Sequence, residues 1–307
     1  MKIEVLFLLV CVLLAGCASD RISQVVAFGD QYSDLGNTKR IGEQAYANGE
    51  AKEILTEGFM NWYKTNHWEG RLSNGPVAVE VLAERLGVKL KDYAVGGAKS
   101  GYGNADDYWL EGLKNTGIQA QVEQYKGDLN GKKADPKALY FLQASTNDFL
   151  GDEYTYDEKA VNERADQAVA NLVTAVTNLA ELGARHFLVG KSADLARLPL
   201  IRMMDLIPEA KTFQDLMNAK LITEMARLEQ QLNIKIDLFD YSATYDRIWS
   251  NPDQYGFTNL EDNCLVTVTF QGMPCNSPDE YFWWDPYSPT RRAHQVIAEA
   301  MAEQLSQ

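Results

Sequence analysis

The stretch Val25-Val26-Ala27-Phe28-Gly29-Asp30 joins a short apolar run to a polar turn. Four consecutive apolar residues followed by Gly and Asp predict a buried strand that ends where a turn begins. Similar strand-like runs recur at residues 92–95, 138–144, 186–189 and 234–239. Longer amphipathic stretches separate them, and this alternation predicts a parallel sheet that is covered by helices on both faces.

The stretches between these runs carry helical periodicity, and Gly87 and Gly183 act as stop signals. We predict helices over Pro76–Leu86, Ile118–Leu129, Glu158–Leu182, Ile207–Leu232 and Pro289–Leu305. The sequence contains no internal repeat and no Pro/Gly/Ser-rich linker. Residues 25–307 are therefore expected to form one domain.

The composition excludes several classes of protein. The chain has 307 residues, of which 46% are hydrophobic and 23% charged, as is usual for a globular protein and not for a disordered, collagen-like or polytopic membrane chain. The net charge of −14 argues against nucleic acid as a partner and against electrostatic docking on anionic lipid. Only three histidines, His67, His186 and His294, are available as general bases.

The first residues have the pattern of a targeting signal. Lys2 precedes an apolar run over residues 5–15, which is too short to cross a bilayer as a helix and suits a secretory signal. Leu14-Ala15-Gly16-Cys17 resembles the lipobox of bacterial lipoproteins. The resemblance implies a signal peptide over residues 1–16, lipidation of Cys17 and a tether over residues 17–24. The protein would then be anchored at the outer membrane of a bacterial cell envelope, facing either the periplasm or the cell surface. A plain signal peptide, cleaved a few residues later, is the alternative.

Two cysteines remain once Cys11 is removed with the signal and Cys17 carries lipid. Cys264 and Cys275 lie close together in sequence, and we expect a disulfide in an oxidising compartment, with free thiols as the alternative. Two thiols without a neighbouring histidine fall short of the four ligands of a structural zinc site.

Five polar clusters follow strands or flank helices in the predicted order. They read Gly29-Asp30-Gln31-Tyr32-Ser33-Asp34, Gly70-Arg71-Leu72-Ser73-Asn74-Gly75-Pro76, Tyr93-Ala94-Val95-Gly96-Gly97-Ala98, Ser145-Thr146-Asn147-Asp148 and Asp285-Pro286-Tyr287-Ser288-Pro289-Thr290. In this order the chain resembles the SGNH (GDSL) hydrolase family, in particular its bacterial phospholipase, hemolysin and glycerophospholipid–cholesterol acyltransferase branch. The resemblance runs from about Val25 to Leu305 and implies a three-layer α/β/α, flavodoxin-like fold around a central parallel sheet.

The family transfers acyl groups through a serine that is activated by a histidine and an aspartate. Carried over by motif, Gly97 and Asn147 match the oxyanion donors and Asp285 matches the triad aspartate. The nucleophile position holds Gln31 and the base position holds Ser288. We call these five residues the remnant site. Asp30, Ser33 and Asp34 match supporting positions of the first cluster, and Ser145 replaces a family glycine.

The two substitutions decide the functional prediction. A glutamine amide is not nucleophilic, a serine hydroxyl does not take up a proton at neutral pH, and losing nucleophile or base typically costs about 10⁴ to 10⁶ in turnover. The sequence predicts a catalytically inactive, GDSL-lipase/esterase-like lipoprotein that binds a lipid, acyl, glycan or protein ligand through the remnant site. The alternative is an active ester hydrolase or acyltransferase with a non-standard nucleophile or base. No nucleotide loop, haem attachment or zinc spacing occurs, so no cofactor is expected.

Other side chains are weaker candidates for replacing the lost groups. The hydroxyl of Ser33 is expected to tie down the first loop, and His294 to pack or hydrogen-bond within its helix. His67 lies in the variable insert over Lys39–Glu69, and nothing in the sequence places it near the site. Gln31 and Ser288 are expected to donate hydrogen bonds to the buried carboxylate of Asp285, because an unpaired buried carboxylate is costly.

Overall fold

The computed structural model describes residues 21–49, 66–107, 111–151, 155–268 and 271–306. The predicted signal peptide and Cys17 lie outside the described residues. Five strands form one parallel sheet in the order β2-β1-β3-β4-β5. The strands are β1 (Gln24–Phe28), β2 (Lys89–Asp92), β3 (Leu139–Leu142), β4 (His186–Gly190) and β5 (Lys235–Phe239).

The strands β1, β3 and β4 are buried almost throughout, as their apolar runs predict. The edge strand β2 was predicted at residues 92–95, and this prediction was wrong by three residues. An edge strand pairs on one side only and leaves its other side to solvent. The strand accordingly has no apolar run: Lys89-Leu90-Lys91-Asp92 alternates between exposed and half-buried positions. Residues 93–95 still continue beside β1: the Tyr93 N–H donates to the Ala27 carbonyl over 2.9 Å.

Ten helices surround the sheet in the described residues. They are α1 (Asn37–Ala47), α2 (Ala78–Leu86), α3 (Ile118–Leu129), α4 (Thr146–Leu150), α5 (Glu158–Leu182), α6 (Pro199–Met203), α7 (Ile207–Leu232), α8 (Tyr241–Ser250), α9 (Pro252–Tyr255) and α10 (Arg291–Leu305). Short 3₁₀ turns lie at Trp68–Gly70, Glu111–Leu113, Leu195–Arg197 and Pro278–Glu280. The bounds predicted for α3, α5 and α7 are confirmed, whereas α2 and α10 each begin two residues later than predicted.

The order of the strands assigns these helices to two faces. The chain leaves β1 for β2 in one direction and then returns past β1 to β3, β4 and β5. Because parallel crossovers are right-handed, α2 lies on one face and α3, α5 and α7 lie on the other. Contacts of α3 with α5, of α5 with α7, and of α2 with α10 agree with this assignment. Within the part of the chain that the structure describes, no helix is both long and apolar enough to cross a membrane.

The reversal of strand order between β1 and β3 creates a crevice at the carboxyl ends of these strands. Ligands of doubly wound sheets bind at such a switch point. The first polar cluster follows β1 and the cluster Ser145-Thr146-Asn147-Asp148 follows β3, so both lie at this crevice.

Two small strand pairs precede the last helix. β6 (Asn259–Asn263) pairs with β9 (Tyr281–Trp283), and β7 (Leu265–Val268) forms a hairpin with β8 (Gln271–Pro274). The predicted Cys264–Cys275 disulfide is present at the base of this hairpin. The Leu265 N–H donates to the Trp284 carbonyl over 2.7 Å, which attaches the hairpin to the segment that carries Asp285.

Replacing both bridged cysteines by alanine is expected to lower the free energy of unfolding by about 3 kcal/mol, because the bridge closes a short loop in the unfolded chain. Urea unfolding of the wild type and of Cys264→Ala/Cys275→Ala measures the difference. As a control, dithiothreitol should lower the unfolding midpoint of the wild type and leave that of the double variant unchanged. Equal midpoints for the two proteins without reductant would contradict the prediction.

Candidate functional site

The turn after β1 places Gln31 at the crevice. The Gly29 N–H donates to Oε1 of Gln121 over 2.8 Å, and Nε2 of Gln121 donates back to the Gly29 carbonyl over 2.9 Å. Oδ1 of Asp30 accepts from the Tyr32 N–H over 3.0 Å, and the Asp34 N–H donates to the Asp30 carbonyl. These bonds hold the turn rigidly, and Gln31 is only 3% exposed.

The two predicted oxyanion donors converge on one atom. Oε1 of Gln31 accepts a hydrogen bond from the Gly97 N–H over 3.3 Å and another from Nδ2 of Asn147 over 3.0 Å. Nδ2 of Asn147 also donates to the Ala98 carbonyl over 3.0 Å, which fixes its orientation. The side chain at the nucleophile position therefore places its own carbonyl oxygen where the donors of a hydrolase would meet a substrate oxygen.

Gly97 requires its glycine for two reasons. Its φ of +77° is strained for any residue with a Cβ, and a Cβ built there would lie 2.4 Å from Oδ1 of Asn104. Nδ2 of Asn104 in turn donates to the Gly96 carbonyl over 2.8 Å. The loop after β2 is thus shaped to present the Gly97 N–H to the crevice.

Asp285 lies in a tight turn before α10. Its Oδ1 accepts from the backbone N–H groups of Tyr287 and Ser288 over 2.8 and 2.7 Å. Ser288 is buried, and its hydroxyl has no hydrogen-bond partner among the described residues. The expectation that the side chains of Gln31 and Ser288 donate to Asp285 was wrong, because the hydrogen bonds to Asp285 in the described residues come from the backbone of Tyr287 and Ser288.

His67 reaches the other oxygen of this carboxylate. Its Nε2 lies 3.6 Å from Oδ2 of Asp285, a contact longer than a hydrogen bond that becomes an ion pair when the imidazole is protonated, and its side chain is fully buried. The neighbouring Asn66 carbonyl accepts from Nε1 of Trp284 over 3.0 Å, and the Ser73 hydroxyl donates to the Pro289 carbonyl over 2.9 Å. The end of the variable insert and the cluster that follows it therefore pack directly on the turn at Asp285. Sequence reasoning left His67 unplaced, and the scarcity of histidine was the one signal that singled it out.

The carboxylates beneath the site are buried. Burial raises the pKa of Asp30 to about 7 and, outweighing the hydrogen bonds from Ser100, that of Asp148 to about 6. The amide of Gln143 faces Asp30, and with its nitrogen turned toward the carboxylate it donates to Oδ1 and Oδ2 over 2.9 and 3.2 Å. At neutral pH the Asp30 carboxyl is therefore divided between its protonated and ionised forms, with the Tyr32 N–H and the Gln143 amide as its donors.

Asp34 organises the loop that leads into α1. Its carboxylate accepts backbone N–H donors from Gly36, Asn37, Thr38 and Gly96 over 2.6 to 3.1 Å. Burial raises its pKa, and these donors act against that rise. Asp34 therefore joins the loop after β1 to the loop after β2, and its contacts are those of a supporting residue.

The remaining candidates for replacing the lost groups are the Ser33 hydroxyl and the other two histidines. The Ser33 hydroxyl does not tie down the loop as expected, since it has no hydrogen-bond partner within the described part of the chain, although the Ser33 N–H donates to the Asp30 carbonyl. Nδ1 of His294 accepts from the Ala78 N–H over 3.2 Å, and burial lowers the pKa of His294 to about 3. Nε2 of His186 lies 2.8 Å from Oδ2 of Asp237 across β4 and β5. The structural interpretation of His294 is confirmed.

The chain is similar to several known proteins. A GDSL esterase/lipase of Arabidopsis thaliana is 25% identical over 89% of this chain and 88% of its own length. The thermolabile hemolysin of Vibrio parahaemolyticus is 27% identical over 94% of this chain and 65% of its own length. An acetylxylan esterase structure from Geobacillus stearothermophilus superposes with a TM-score of 0.46 at 13% identity, covering 92% of this chain and 94% of that one.

A family profile matches most of the chain. The profile described as GDSL-like Lipase/Acylhydrolase matches residues 25–301, which is nearly all of the chain after the predicted signal and tether. The roles of the remnant-site residues stay predictions, since this match does not test them one by one. With the parallel sheet and the polar clusters at its carboxyl edge, the match shows that this chain belongs to the GDSL-like lipase/acylhydrolase family.

Proposed function

We propose that this chain is a catalytically silent member of its family, a pseudo-hydrolase. The observation that carries the proposal is the pair of hydrogen bonds from Gly97 and Asn147 to Oε1 of Gln31. A neutral amide cannot attack a carbonyl carbon, and its oxygen occupies the donors that would stabilise the tetrahedral intermediate. Gln31 therefore has two effects: it removes the nucleophile, and its amide oxygen fills the oxyanion hole.

The proposal includes a ligand and an anchor. A lipid, acyl, glycan or protein ligand would bind at the crevice and, to reach Gly97 and Asn147, would displace the buried amide of Gln31. Protection against thermal unfolding by such a molecule, increased in Gln31→Ala because the competing amide oxygen is gone, supports this part, and equal protection of both proteins contradicts it. We further propose that lipid on Cys17 holds the protein at a bacterial outer membrane. A Cys17→Ala variant that partitions into detergent like the wild type would contradict the anchor.

A second candidate function rests on His67. An imidazole beside a buried carboxylate is the arrangement of a general base, and such a pair can take a proton from water that attacks an ester. In that case the protein would hydrolyse esters without a serine nucleophile and without an acyl-enzyme.

Hydrolysis of p-nitrophenyl acetate and labelling by a fluorophosphonate test both candidates. We expect the wild type to release nitrophenol no faster than Asp285→Asn and to remain unlabelled, because no nucleophile is present. Turnover that is lost in His67→Gln without any labelling would favour water activation instead. Stoichiometric labelling of the wild type would overturn both candidates, since it requires a nucleophilic side chain.

A further inference from the structure

We propose that His67 has taken over the place of the missing family base, so that this chain keeps a His–Asp pair and both oxyanion donors and lacks only a nucleophile. The inference rests on the proposed function, in which silence arises from Gln31. It adds that Ser288, at the family's base position, is not the second cause of that silence.

The two oxygens of Asp285 are used in different ways. Oδ1 accepts from the backbone of the turn itself, through the N–H groups of Tyr287 and Ser288. Oδ2 faces Nε2 of His67 at 3.6 Å. A carboxylate with only 8% of its side chain exposed is costly without a polar or charged partner, and the imidazole is placed to meet that need.

The imidazole comes from a different part of the chain than the family motif provides. Ser288 has a short side chain at the motif's base position, and its hydroxyl finds no partner in the described residues. His67 approaches the same turn from the segment before α2, held there by the bonds of Asn66 to Trp284 and of Ser73 to Pro289. The Trp68 N–H donates to the Ser73 carbonyl over 2.9 Å, which closes this segment into a compact loop.

The catalytic consequence follows from how a His–Asp pair works. One ring nitrogen faces the carboxylate, and the other takes the proton of the nucleophile. Since Nε2 of His67 faces Asp285, the proposal requires Nδ1 to take the proton of the residue at position 31. A serine in place of Gln31 would supply the nucleophile and, by removing the amide oxygen, free the donors at Gly97 and Asn147.

The reaction of the Gln31→Ser variant with an ester then follows the steps of a serine hydrolase. The serine oxygen bonds to the carbonyl carbon while its proton passes to His67, and the carbonyl oxygen, now negative, is held by Gly97 and Asn147. The bond to the alcohol breaks as His67 returns the proton to the leaving oxygen. Water, deprotonated in turn by His67, releases the carboxylic acid and restores the serine.

The decisive experiment compares Gln31→Ser alone with three double variants, Gln31→Ser/His67→Gln, Gln31→Ser/His186→Gln and Gln31→Ser/Ser288→His. The readouts are p-nitrophenyl acetate turnover and fluorophosphonate labelling. We expect Gln31→Ser to be labelled and to turn over at least about 10²-fold faster than the wild type, the lower range of a general-base contribution. Adding His67→Gln should abolish that gain. Adding His186→Gln, which removes a matched imidazole from its contact with Asp237, should leave it intact.

Three results would overturn the inference: an inert Gln31→Ser, activity that survives His67→Gln, or activity that appears only with Ser288→His. Circular dichroism of each variant checks folding, and the pH dependence of labelling of Gln31→Ser provides a readout that a merely structural histidine would not move. An imidazole base gives a rate that rises between about pH 5 and 8. Failure of the proposed function is separate, because it is read from turnover by the wild type.

Discussion

Replacing Asp34 by alanine is expected to lower the free energy of unfolding by about 4 kcal/mol. Four backbone N–H groups share this carboxylate as acceptor. The Gly96 N–H also donates to the Thr38 hydroxyl, so three donors would be left unsatisfied, each at a cost of about 1 to 3 kcal/mol. Removal of a buried, desolvated carboxylate offsets part of that loss, which places the expected value near the lower end of the sum. Urea unfolding at pH 7 measures it.

Two further variants make this prediction specific. Asp34→Asn keeps Oδ1 for Gly36 and Asn37 and is expected to be intermediate. Asp215→Ala removes an exposed carboxylate that pairs with Lys211 one helical turn away and should change the free energy by no more than about 0.5 kcal/mol. A midpoint for Asp34→Ala equal to that of Asp215→Ala would show that the carboxylate does not organise the loop.

The second large effect is a dependence on pH that Asp30 imposes. Its pKa is about 7 in the folded protein, against 3.8 for an ordinary aspartate, so the folded state holds the proton more tightly than the unfolded state. The stability it contributes is fully present below about pH 4 and is lost as the pH rises through 7. A difference of about 3 between the two pKa values corresponds to about 4 kcal/mol.

Comparing Asp30→Asn with the wild type isolates this contribution. The variant carries no titrating carboxyl, so its stability relative to the wild type should increase by several kcal/mol between pH 4 and pH 8. Asp279→Asn is the opposite control: the Arg291 guanidinium lowers the pKa of Asp279, so its contribution is present at neutral pH and fades in acid. Parallel curves for Asp30→Asn and the wild type would refute the assignment.

The sequence predicts some features of this molecule well, for reasons that are local. The helices α3, α5 and α7 have long amphipathic periods, and α5 ends at Gly183, whose φ of +123° few other residues adopt. The edge strand β2 has no such local signal, because its residues are stabilised by pairing with β1 on one side only. Local sequence patterns therefore predict the long helices and the central strands better than the edge strand.

The candidate site also contains residues that the sequence predicts and contacts that it does not. Motif order identifies Gly97, Asn147 and Asp285, because each follows a recognisable strand or precedes a recognisable helix. The direction of the Gln31 amide depends on two donors, one from the loop after β2 and one from α4, and no pattern near residue 31 encodes it. The contact of His67 with Asp285 joins distant segments, so it emerges only when the chain is folded.

The parallel sheet gives the molecule two unlike poles. β1 starts at Gln24 and leads to Gln31 at its far end, so a restraint near residue 21 acts on the pole opposite the crevice. Cys17 precedes Gln24 by seven residues, a length of chain that spans at most about 25 Å. An acyl group on that cysteine would hold the amino pole against the bilayer and turn Gln31 and His67 outward. A ligand of the crevice would then approach from the aqueous phase, and not from the lipid leaflet in which the protein is anchored.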